Sequence, residues 1–198
     1  MKVAGRCPDE GEVSALPDVS PTPPAPVPDF ATVYRDHVQL VARWAARLGG
    51  PHLDVEDAVQ ETFAIVQRRL PTYRPEAKLT TWLFRITENA VHHQRRSARW
   101  RRWLRGSAED VAGDRPDPRR SPLEDVERRQ AREKVYRILD GMNERYRTVL
   151  VLAVLEELPT EEIAERLGTS RDNLWLLLHR ARKDFAKRLE KLEGGRDG

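Results

Sequence analysis

Leu158 to Arg182 reads LPTEEIAERLGTSRDNLWLLLHRAR, and its punctuation decides the fold. Pro159 suits a first helical position, where a missing N–H costs nothing. Ile163, Ala164 and Leu167 form a short apolar stripe; Gly168 follows as a turn residue, and Ser170 is a ready N-cap for a second helix. Leu174, Leu178, Ala181 and Phe185 recur at helical spacing and give that second helix a buried side. A short helix, a glycine-containing turn and a longer helix make a helix-turn-helix unit, whose second helix can enter a DNA major groove. The same pattern also builds an ordinary αα-hairpin, so the rest of the chain must decide between them.

Composition narrows the class. The 198 residues hold one ordinary domain or two small ones. Charged residues make up 34% and apolar residues 39%, which leaves room for small cores only. The net charge is +3, but arginine is clustered, and the clusters matter more than the total. The one cysteine, Cys7, excludes an intrachain disulfide and fits a reducing compartment. No apolar run reaches the ~18 residues of a membrane span, and residues 1–28 lack a signal-peptide core, so a cytoplasmic protein is expected.

Residues 1–28 carry seven of the 14 prolines among Ser, Asp and small residues, and are expected to be a disordered tail. Asp29 is an N-cap candidate for a helix whose stripe is Phe30, Val33, Tyr34, His37, Val41, Trp44 and Leu48, stopped at Gly49-Gly50-Pro51. Asp54 opens a second helix with Val55, Val59, Phe63, Val66 and Leu70 inward. A third helix, from about Thr80 to Leu104, turns Trp82, Leu83, Ile86 and Ala90 to the core. These predict a three-helix domain over 29–105. Residues 106–120 read as a flexible linker, able to stretch to roughly 55 Å. A second domain over 121–193 opens at the capping box Ser121-Pro122-Leu123-Glu124. Its fourth helix carries Val126, Gln130, Val135, Ile138, Leu139 and Met142; Asn143 caps a fifth, and Val149 to Leu155 is apolar nearly all round. The predicted fold class is all-α, two small helical domains on a tether.

Two charge features bear on function. Asp54, Glu56, Asp57, Gln60 and Glu61 crowd the start of the second helix, as a solvated face with acid at a helix N-terminus or as a docking surface for a basic partner. Arg95, Arg96, Arg99, Arg101, Arg102 and Arg105 enclose Trp100 and Trp103 without an acid, which suits phosphate contact and stacking on unpaired bases. There is no Walker loop, GxSxG, HExxH or CxxC, and His92 and His93 project about 100° apart on one helix, which disfavours a shared metal. No catalytic residue, metal or cofactor is expected.

DVEDAVQETF (54–63), LPTYRPEAKLTTWLFRITEN (70–89), the basic helix end, a linker and LPTEEIAERLGTS…LHRAR together resemble the extracytoplasmic-function sigma factors of bacterial RNA polymerase. The resemblance covers about residues 30 to 190 in order and spacing. It implies promoter-specific transcription initiation, with the three-helix domain as region 2 and the helix-turn-helix domain as region 4. The implied partners are core polymerase, through its β′ clamp helices and β flap, promoter DNA, and an anti-sigma factor. The polymerase-binding set would be Asp54, Glu56, Asp57, Gln60 and Glu61. Tyr73, Arg74, Lys78, Arg85, Asn89, Arg95, Arg96 and Arg99 would meet and open the −10 element. The helical wheel, with Leu174, Leu178, Ala181 and Phe185 buried, leaves Asp172, Trp175, Leu176, His179 and Lys183 outward, flanked by Arg171 and Arg180; these would read the −35 element. The chain departs from the pattern at Glu88, where arginine is usual, at His93, where aspartate is usual, and in its apolar recognition helix. A dimeric helix-turn-helix regulator and a sigma-like protein that binds only a regulator are the rival readings.

Overall fold

The computed structural model describes residues 28–74, 78–105 and 122–194, with side chains for 28–74, 78–100 and 125–194. The proline-rich tail, the centre of the 73–78 loop, the linker, Ser121 and the side chains of Arg101, Arg102, Trp103 and Arg105 lie outside these residues. Among the described residues there are seven helices and no strand: α1 (Phe30–Gly49), α2 (Val55–Arg69), α3 (Leu79–Arg105), α4 (Pro122–Asp140), α5 (Glu144–Leu150), α6 (Thr160–Leu167) and α7 (Arg171–Gly194). A 3₁₀ turn, Leu70–Thr72, follows α2, and a π-helical turn, Val151–Leu155, extends α5.

The helix starts follow the capping residues. Asp29 and Asp54 accept hydrogen bonds from the N–H groups of Thr32 and Asp57 at 3.2 and 3.0 Å, and Asn143 accepts from Arg145 N–H at 2.9 Å. Ser170 accepts from Asn173 N–H at 3.3 Å. Gly168 takes the left-handed conformation (φ 59°, ψ 42°) that ends α6, while Thr169 N–H returns to the Ala164 carbonyl at 3.0 Å. Pro159 sits one place before α6, at the cap, and not at the expected first helical position.

α1, α2 and α3 close the first unit. Trp44 meets Phe84 edge-on at 5.3 Å, and Phe30, Tyr34 and Phe63 form a second aromatic group toward the start of α1. The buried side of α2 runs through Ala58, Thr62, Phe63 and Val66. Val55 and Val59, expected inward, are only half-buried. Thr62 fits because its hydroxyl donates to the Ala58 carbonyl at 2.7 Å, so no polar group is stranded. In the second unit, α7 is the spine on which α4, α5 and α6 pack. Here Tyr136, Ile138, Leu139 and Met142 are buried while Val126 and Val135 are exposed. The π turn rotates the end of α5, so Val154 also faces solvent.

The sequence predicts two cores on a tether, yet the buried side chains form one cluster running through both units. α6 packs on α3, and the π turn packs on α1. Charged side chains that patterning places at the surface lie in this junction. Arg147 is fully buried, and Arg166 rests its guanidinium 4.8 Å from the Trp44 ring.

Candidate polymerase and nucleic-acid interfaces

The acidic face of α2 is shaped by its cap. With Ala58, Thr62 and Val66 inward, Asp54, Glu56, Asp57 and Gln60 are exposed, side by side where the helix dipole favours anions. Glu61 is half-buried: its carboxylate meets His93 Nδ1 at 3.4 Å and accepts from Gln94 Nε2 at 3.3 Å. It therefore ties α2 to α3 as well as bordering the acidic face. His92 points the other way, toward Glu144 at 3.5 Å, so the two adjacent histidines serve different neighbours.

The recognition helix is as the wheel places it. Leu174, Leu178 and Ala181 are buried, and Phe185 is half-buried. Asp172, Trp175, Leu176, His179, Arg180 and Lys183 are all exposed, Trp175 at 65% and Leu176 at 45%. Trp175 stacks on His179, ring centres 5.7 Å apart, which fixes the indole across one turn. Arg171 is exposed and pairs with Glu161 at 2.8 Å, a surface bond that contributes little and can be exchanged for a phosphate or base.

The third set divides. Tyr73 packs on Trp82 at 5.1 Å. Arg74, Arg85, Asn89, Arg96 and Arg99 are exposed, but several are engaged by the second unit. Lys78 Nζ lies 2.9 Å from Glu165, holding that carboxyl below its ordinary value; Arg85 Nε donates to the Arg166 carbonyl at 3.2 Å; Arg99 meets Glu144 at 2.6 Å. Asn89 lines the cleft between α3 and the second unit, beside Glu88 and His92. Arg95 departs furthest from expectation. Its side chain is 8% exposed, donating to Asp140 at 2.7 Å and to the Gly49 carbonyl at 3.3 Å, so in this form it cannot reach a phosphate. Glu88 and His92 share the Thr148 hydroxyl. Burial lifts the Glu88 carboxyl above its ordinary range, against the Thr148 hydrogen bond and Arg85; burial depresses His92, with Glu144 opposing.

Sequence reasoning missed Arg147, Asp140, Glu156 and Arg166, which join the two units. No periodic signal marks them, because a junction between units follows neither helix period. The sequence does not assign either half a partner in the other.

Residues 33–101 match the family model Sigma-70 region 2, and residues 132–185 match Sigma-70 region 4. RNA polymerase sigma factor CnrH of Cupriavidus metallidurans is 30% identical over 149 residues, covering 71% of this chain and 76% of that protein. ECF RNA polymerase sigma factor SigE of Mycolicibacterium smegmatis is 32% identical over 171 residues, 84% of this chain and 64% of that one. The chain belongs to the extracytoplasmic-function sigma factors. The fold of this sigma factor is similar to that of the sigma factor RpoE solved in complex with the anti-sigma factor NepR from Bartonella quintana. The TM-score is 0.57 at 20% identity, over 82% of this chain and 97% of that one. The sigma factor acts with RNA polymerase and directs initiation at specific promoters. Sigma factors are not, as a class, enzymes. No helix among the described residues is long and apolar enough to cross a membrane.

Proposed function

We propose that this sigma factor divides its work among the three surfaces. Residues 29–105 serve as region 2 and residues 121–193 as region 4, with 106–120 joining them. The exposed acids of α2, Asp54, Glu56 and Asp57, with Gln60 and the half-buried Glu61, dock on the β′ clamp helices, and the second unit docks on the β flap. Tyr73, Arg74, Lys78, Arg85 and Asn89 meet the −10 element, where opening needs a place for an extruded base. Arg96 and Arg99, with Arg95 once it is released, hold the displaced backbone. Arg171, Asp172, Trp175, Leu176, His179, Arg180 and Lys183 read the −35 element. Trp175 and Leu176 supply apolar contact to thymine methyls, and the arginines polar contact. Catalysis stays with the polymerase, and the protein works in the cytoplasm under an anti-sigma factor, as the complex of its Bartonella neighbour suggests.

The observation that carries this reading is the outward face of α7. A Trp-Leu pair held in water over a well-buried Leu174–Leu178 seam is costly unless a partner covers it. Run-off transcription with purified core polymerase on genomic fragments tests it. Specific transcripts are expected from the wild type and should be lost when Arg171 and Arg180 are both changed to Ala. Transcripts unaffected by that pair would remove α7 from −35 reading.

A further inference from the structure

A carboxylate is a costly side chain to carry into a DNA groove. Phosphates flank the groove on both sides, and most polar base edges within it are acceptors that repel a further acceptor. Asp172 nevertheless stands at the second position of α7, exposed, on the face assigned above to the −35 element. Around the helix axis it lies about 40° from Leu176 and about 60° from Trp175, so the acid and the apolar pair share one side. Residues at the start of a recognition helix are the ones that reach base edges.

The structure gives this acid no other task. The cation within a turn of it on α7 is Arg171, and that guanidinium is turned to Glu161 at 2.8 Å. The residues three, four and seven places on are Trp175, Leu176 and His179, none of which pairs with it. The helix start is capped by its neighbour: Ser170 Oγ accepts from Asn173 N–H at 3.3 Å, and the Ser170 carbonyl accepts from Leu174 N–H at 2.9 Å. Among the described residues Asp172 is therefore neither a cap nor half of a salt bridge. The dipole of α7 favours an acid near its N-terminus, which offsets part of the cost without explaining why the acid faces DNA.

The donors available in the major groove narrow the ligand. Cytosine offers its N4 amino group and adenine its N6 amino group. The adenine amino group sits beside N7, an acceptor facing the same way, whereas the cytosine amino group sits beside a C5–H edge. A carboxylate therefore prefers cytosine to adenine, and repulsion between acceptors sets it against guanine O6 and thymine O4. Trp175 and Leu176 locate that cytosine. They lie three and four residues further along α7, about 4.5 to 6 Å at the helical rise, against about 3.4 Å per base pair of DNA. The indole is held by its stacking on His179, ring centres 5.7 Å apart, so the helix fixes the spacing between acid and apolar patch. A thymine methyl against that patch puts the cytosine one or two base pairs away.

We infer that Asp172 is a specificity-determining residue. Its carboxylate accepts from the N4 amino group of a cytosine in the −35 element, one or two base pairs from a T·A pair covered by Trp175 and Leu176. This rests on the assignment of α7 to the −35 element and adds the base that the acid selects.

The test uses holoenzyme carrying the full chain to select bound promoters from a library randomised over the −35 element, with Asp172→Asn and Asp172→Ala run beside the wild type. Base preference is the readout, because losing the favourable dipole interaction alters stability without altering which base is chosen. The wild type should recover a C·G pair at one position, and any other pair there should lower affinity about 5- to 150-fold, the usual cost of one mismatched pair. Asp172→Asn should move the preference at that position alone from cytosine to adenine, because an amide pairs with adenine N6 and N7. Asp172→Ala should leave that position without a preference and the others as in the wild type. Variants that select the same sequence as the wild type would overturn the role of Asp172 while leaving α7 on the −35 element. A wild-type preference for adenine, guanine or thymine at the position the variants alter would overturn the cytosine assignment. A wild type that selects no −35 sequence would overturn both this inference and the reading beneath it.

Discussion

Glu88 shows how much one half-buried carboxyl can report. Its folded value is raised chiefly by burial, so between its ordinary value of 4.5 and the raised one the folded state binds more proton than the unfolded. It therefore costs stability at neutral pH, and the cost vanishes as pH falls through the raised value toward 4.5. Glu88→Gln should raise Tm at neutral pH by a few degrees, the size of about 1 kcal/mol in a chain of this length. The gain should shrink as pH falls, and thermal scans from pH 7 to 4.5 measure it. A gain independent of pH would mean packing, not charge. On α7 the residue scale separates neighbours: Leu174 is 0% exposed and Leu176 45%. Leu174→Ala should cost about 2–5 kcal/mol, whereas Leu176→Ala should stay within about 1 kcal/mol and change −35 preference. Chemical denaturation beside a promoter-variant binding assay distinguishes the two.

At the scale of the element, surfaces act through helix faces. Asp57→Lys reverses charge on the exposed side of α2 and should weaken binding to core polymerase while lowering Tm only slightly, because the side chain is exposed and the fold loses just its favourable interaction with the helix N-terminus. Unchanged pull-down affinity would remove the acidic face from docking. At the basic end of α3, Arg95 and Arg99 are held by Asp140 and Glu144, which leaves exposed Arg96 as the cleaner probe. Arg96→Ala should reduce the slope of log K against log salt for holoenzyme on promoter DNA by roughly 0.7 to 0.9. A slope that does not move would make the residue a surface solubiliser. Much at this scale was legible in the sequence, since caps and stripes are local. Asp29, Asp54, Asn143 and Ser170 cap as expected, Gly168 turns as expected, and the outward face of α7 follows from its leucine spacing. The inward face of α2 was less so. Two valines outrank Ala58 and Thr62 in apolarity, but small residues let α2 sit close to its neighbours, and a threonine can satisfy its own hydroxyl.

Over the whole molecule, the missing information was the relation between the units. Arg147 and Arg166, on α5 and α6, and Glu156, just past the π turn, carry no periodic mark in the sequence. Their burial becomes meaningful only when the end of α1, the ring of Trp44 and the pair Arg43 and Arg47 are brought opposite them. Contacts of this kind join residues about a hundred positions apart and leave no local period to detect. The same distance separates the two surfaces proposed to read the promoter along the chain, so the division of labour between them is the claim on which the account stands. Its most direct measurement replaces Trp175, and separately Asn89, with a photo-crosslinking amino acid and maps the crosslinks of each holoenzyme on a promoter. Position 175 should crosslink at the −35 element and position 89 at the −10 element. Crosslinks of both positions to one element, exchanged assignments, or no DNA adduct from a transcriptionally competent holoenzyme would contradict it.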